Sequence, residues 1–142
     1  MSKSNTFEND LLALLFNATA IGNVADNAAS SPLTNLYVAF HTADPGEGGN
    51  QTTNECTYTG YARVAVARTS GGWTVSGSSV SPAADVVFGG CTAGSETITH
   101  FSVGKLSSGA GEIYYSGSCS PTIPVSSGVT PRLKAGTTIT ED

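Results

Sequence analysis

The chain has 142 residues, of which 39% are hydrophobic, 8% aromatic and only 12% charged, with 11 acidic against 6 basic side chains and a formal net charge of −5. That length suits one core, and the six basic residues are scattered from Lys3 to Lys134, which excludes a clustered nucleic-acid surface. Its 18 Ser, 18 Thr and 17 Gly favour strands and turns over long helices, and no apolar run approaches the roughly 20 residues that span a bilayer.

The first element is the only expected helix, in SNTFENDLLALLFNATA. Asn5 and Glu8 have capping-box spacing, and Glu8 and Asp10 sit where the helix dipole favours negative charge. Phe7, Leu11, Leu14 and Leu15 share one face, extended by Leu12 and Phe16. So wide an apolar stripe either covers one end of the β body or docks on a neighbouring subunit. From Ala18 to Asn35 the chain is small and polar, with Pro32 opposing any helix. Residues 1–34 read as helix and arm, and residues 35–142 as one β domain.

Leu36, Val38 and Phe40 alternate with Tyr37, Ala39 and His41, which predicts a half-buried strand. A polar excursion from Ala43 to Gly60 follows, too long to be a mere connection. Tyr61–Thr69 alternates again, and a tight hairpin about Gly77 is expected to join Trp73–Ser76 to Ser79–Ser81. Asp85–Phe88 and Glu96–Gly104 are further strands, the second placing Ile98, His100 and Ser102 opposite Phe101 and Val103. Gly111–Ser116, Thr122–Val125 and Gly136–Thr140 complete the set, with Pro121 and Pro124 marking a sheet edge. About eight short antiparallel strands and one helix read as an all-β sandwich or barrel.

Chemistry is sparse. His41 and His100 lack the spacing of a metal site, and isolated strand histidines are usually packed or hydrogen-bonded. Asp44, Glu47 and Asn50 match no calcium loop, whereas Asp44-Pro45-Gly46 is good turn chemistry. No G-x-S-x-G elbow or complete phosphate loop is present, so no enzyme, no metal and no cofactor are expected. Cys56, Cys91 and Cys119 form no CxxC and read as reduced, small apolar groups. With no signal-peptide pattern, synthesis and folding in a cytoplasm are expected.

The stretch LYVAFHTADPGEGGNQTTNECTYTGYARVAVAR, with ITHFSVG, GEIYYSG and GVTPRLKAGTTITED, resembles small virion proteins of tailed bacteriophages. It is most similar in type to the capsid cement (decoration) proteins of short-tailed phages. The resemblance covers nearly everything after Asn35. It implies a jelly-roll-like β-sandwich on the capsid exterior, assembled in the host cytoplasm, that clamps adjacent major capsid protein subunits and associates as a homodimer or other symmetric oligomer. Membranes and nucleic acid are not expected partners. The helix face Phe7, Leu11, Leu14 and Leu15, together with Asp44, Pro45, Glu47, Asn50 and Tyr58 of a loop ordered by its partner, are the expected contacts. A tail-tube or tail-fibre-associated protein is the alternative, the former disfavoured by short strands. A carbohydrate-binding sandwich at the host surface, with Tyr37, Tyr58, Tyr61, Tyr114 and Tyr115 supplying rings, is the third reading.

Overall fold

The computed structural model describes residues 4–21 and 32–141. Most of the polar arm expected between Ala18 and Asn35 lies outside the described residues. The order is α1 (Asn5–Asn17), β1 (Asn35–His41), β2 (Val64–Ala67), β3 (Trp73–Ser76), β4 (Ser79–Pro82), β5 (Val86–Val87), β6 (Ser95–Gly104), β7 (Ile113–Ser126), β8 (Arg132–Leu133) and β9 (Ile139–Thr140). The strands form sheets of order β2-β1-β6-β7, β3-β4-β9 and β5-β8, the all-β, sandwich-class architecture expected from the sequence. Two compact units interleave along the chain.

The first unit comprises Met1–Asn35, Val66–Asp85 and Lys134–Asp142. Its N-cap is Ser4 rather than Asn5: the Ser4 hydroxyl accepts the Phe7 N–H at 3.3 Å. The end is a left-handed Ala18 at φ 53°, with the Thr19 N–H returning to the Ala13 carbonyl at 3.0 Å. Arg68 satisfies carbonyls in the last turn of the helix, donating to that of Leu14 at 2.6 Å and to that of Leu15.

The buried residues of the helix are Glu8, Leu12 and Phe16, so the apolar stripe is divided, with its extension Leu12 and Phe16 packed inward. Leu12 and Phe16 are fully buried, and Phe16 meets Trp73 edge-on at 4.7 Å. Phe7 is 42% exposed, and Leu11, Leu14 and Leu15 are half-buried. Trp73 thus does serve core packing. The hairpin it begins turns through Gly77 at φ +60°, which a glycine at the first turn position accommodates.

The second unit comprises Leu36–Ala65 and Val86–Leu133. β1 and β6 pair antiparallel, with Val38 opposite Val103, Phe40 opposite Phe101 and His41 opposite His100. Opposite residues share a face. Leu36, Val38, Phe40, Phe101 and Val103 therefore make one apolar face, where Phe40 stacks on Phe88 at 4.0 Å and Tyr61 lies beyond at 6.0 Å.

Ala39, His41 and Ser102 lie on the other face and are also fully buried, so β1 is covered on both sides rather than half-buried. The phase of β6 also departs from simple alternation. Ile98 is buried as well as Phe101 and Val103, because the register slips between Ile98 and His100. The segments Gly111–Ser116 and Thr122–Val125 are one 14-residue strand, β7, at the edge of the sheet as the prolines suggested.

Candidate functional site

The excursion after β1 is a folded cover for the polar face of the sheet, not a segment waiting for a partner. Its turns are made by its own side chains. Asp44 Oδ1 accepts the Gly46 N–H at 2.9 Å, and Asn50 Oδ1 accepts from the Thr52 N–H at 2.9 Å and its hydroxyl at 2.6 Å. Asn54, at φ 55°, donates from Nδ2 to the Asp44 carbonyl at 3.0 Å. Asp44 and Asn50, two of the residues weighed for calcium, each use Oδ1 as a turn acceptor.

His41 fastens this cover to the sheet. Its Nδ1 donates to the Thr53 carbonyl at 2.9 Å, which leaves Nε2 to accept from the Ser102 hydroxyl at 2.8 Å. Burial holds its pKa below the ordinary value of 6.5. The two histidines do meet in register, but Nδ1 of His100 is bonded to the Thr99 hydroxyl at 2.9 Å. Further along, the Glu96 carboxylate receives the Thr57 N–H at 2.9 Å, the Tyr58 N–H at 3.1 Å and the Thr57 hydroxyl at 2.7 Å. That clasps the far end of the cover to β6.

The centre of the arrangement is Arg63. Its Nε donates to Glu55 Oε1 at 2.7 Å and its Nη2 to Glu55 Oε2 at 2.8 Å, with only 2% of the arginine side chain exposed. Tyr61 donates to Glu55 at 2.9 Å and accepts the Phe40 N–H at 3.1 Å, while burial and the carboxylate raise its own pKa. Arg63 then reaches the turn that joins β6 to β7, donating to the carbonyls of Leu106 at 3.0 Å and Gly109 at 2.8 Å.

Gln51, fully buried, holds the same turn from the other side. Its Oε1 accepts the Leu106 N–H at 2.8 Å, and its own N–H donates to the Gly111 carbonyl at 2.8 Å. Beside the pair lies a groove of about 290 Å³ lined by Glu55, Cys56, Tyr61, Ala62, Arg63 and Ser107–Gly109.

Of the loop residues expected to touch a partner, Asp44 and Glu47 are exposed and Asn50 is half-buried. Pro45 and Tyr58 are buried instead. Tyr58 packs edge-on against Tyr61 at 5.5 Å and donates its hydroxyl to the Gly89 carbonyl at 3.0 Å, and its pKa is pushed up to about 12 by burial. It belongs to the interior. Cys56, Cys91 and Cys119 are free thiols, the first raised to about 12 and the last to about 11 by burial.

Sequence reasoning missed Gln51, Glu55 and Arg63. Their only sequence signal is polar side chains beside strands, which becomes informative once the partners in the β6–β7 turn are known.

A protein-family model described as podophage GP4 fiber I protein gp80 matches residues 2–141. The chain belongs to this family. It is thus a virion protein of a short-tailed phage, as the resemblance implied, and the family's description names a fiber protein rather than a capsid cement protein. No curated protein matches the sequence. Family membership directs attention away from catalysis and toward the surfaces that the folded chain offers to other virion proteins.

Proposed function

We propose that the protein is a non-catalytic structural component of the fibre apparatus of a short-tailed phage, attaching to neighbouring virion proteins through its exposed loops and the outer face of α1. The observation that carries this reading is the match to a fiber protein over residues 2–141. The chemistry of the site agrees with it. His41, Glu55, Arg63 and Glu96 are the groups best suited to catalysis in the second unit, and each is bonded within the fold.

The strand-length argument against a tail component also loses its force. The β6–β7 hairpin has strands of 10 and 14 residues. Attachment to the capsid exterior, with the major capsid protein as partner, is the competing reading and rests on the resemblance to cement proteins. Fractionating dissociated virions separates the two. The protein is expected with tail and fibre proteins, and recovery with empty heads would favour the cement role instead.

A further inference from the structure

Two buried polar side chains in the second unit reach the same exposed turn. The Arg63 and Gln51 side chains end on the backbone at Leu106 and Gly109, and the backbone N–H of Gln51 donates to the Gly111 carbonyl, so that the turn is held from both sides. The Lys105 N–H bonded to the Glu112 carbonyl at 3.1 Å and the Gly111 N–H bonded to the Gly109 carbonyl at 2.9 Å close it internally. Burying an arginine with its carboxylate carries a desolvation cost of several kcal/mol per ion, offset only by good geometry. Among the segments that this arrangement holds is a turn that adds nothing to the core: Lys105 to Ala110 are all exposed, and Leu106 is 41% exposed.

A preformed projection loses little conformational freedom on binding, so a turn held in this way is suited to recognition. Its tip offers an aliphatic side chain, one ammonium and small residues. Lys105 brings positive charge to the tip of a chain whose net charge is −5.

We propose that the Lys105–Ala110 turn is a preformed docking projection that places Leu106 in an apolar socket on a neighbouring virion protein, with a carboxylate at the socket's rim pairing with Lys105. This rests on the reading of the chain as a virion attachment component and names the chemistry of its partner. A protein fits better than a glycan, because the tip carries no flat ring on which a sugar could stack.

The test uses labelled full-length chain and phage particles assembled without it, with co-sedimentation as the readout. Leu106→Ser is expected to weaken binding about tenfold or more and Lys105→Glu severalfold, with Lys105→Arg near the unaltered chain. Both positions are exposed, and unchanged thermal unfolding of each variant shows that the fold is intact. Binding by Leu106→Ser and Lys105→Glu within twofold of the unaltered chain would overturn the docking role of the turn. Failure of the unaltered chain itself to sediment with the particles would overturn the attachment reading as well. Capture of the chain by beads carrying host polysaccharide, lost in Leu106→Ser, would overturn the choice of a protein partner.

Discussion

Arg63 grips Glu55 through two parallel hydrogen bonds of 2.7 and 2.8 Å, and the same guanidinium holds the backbone of a turn more than 40 residues away in sequence. The pair is a joint between three segments of the chain rather than a surface salt bridge. Replacing Arg63 by Met leaves Glu55 with a buried neighbour that cannot answer its charge, and removes a donor from the carbonyls of Leu106 and Gly109. The expected loss is about 3 kcal/mol in urea unfolding. The double variant Arg63→Met with Glu55→Leu should recover much of it, and a double-variant loss equal to the sum of the two single-variant losses would show that the pair is not coupled.

His41 makes the fold sensitive to acid. Its folded pKa lies below 6.5, so its contribution is fully present above the unfolded value and is lost as pH falls through 6.5 toward the folded pKa. Unfolding midpoints should drop between pH 7.5 and pH 5. His41→Gln keeps a neutral hydrogen-bonding side chain and should flatten that part of the curve. An unchanged slope in the variant would assign the acid sensitivity elsewhere.

Gly104 and Gly46 answer different questions. A methyl group built on Gly104 overlaps the Gln51 side chain and the Glu112 carbonyl, whereas one on Gly46 meets nothing within 4 Å. Gly46 instead has φ +69°. Gly104→Ala should lower stability by more than about 2 kcal/mol through displacement of Gln51, and Gly46→Ala by only about 1 kcal/mol of backbone strain. Chemical denaturation of the two variants, side by side, checks the order.

The helix is part of its own unit. Phe16→Ala removes a fully buried ring from Trp73 and should cost about 3–5 kcal/mol, so deletion through Asn17 should severely destabilise the first unit rather than simply detach an arm. Ala18→Gly should act in the opposite sense, gaining about 0.5–1 kcal/mol at a left-handed cap. Calorimetry of both variants tests the packing and the cap separately.

Local signals read well where the period was clean. The strand Leu36–His41, the hairpin about Gly77 and the edge prolines of β7 all follow from residues within ten positions of one another. The spacing of α1 does not say which part of its wide apolar stripe is buried, because Phe7, Leu11, Leu14 and Leu15 satisfy helical periodicity as well as Leu12 and Phe16 do. Only Trp73, far along the chain, decides between them. The polar loop was misread for a related reason. Its residues lack hydrophobic rhythm because they are held by hydrogen bonds, from His41 to the Thr53 carbonyl and from Thr57 and Tyr58 to Glu96, in place of apolar contact. No spacing rule links Arg63 to Leu106 or Gln51 to Gly111, since those bonds depend on how the sheet folds.

The central claim is that this virion protein belongs to the fibre apparatus. Gold-labelled antibody against the native chain, imaged on intact particles, tests it most directly. The account predicts label at the tail and its fibres. Label distributed over the head would contradict it and return the capsid-cement role to first place.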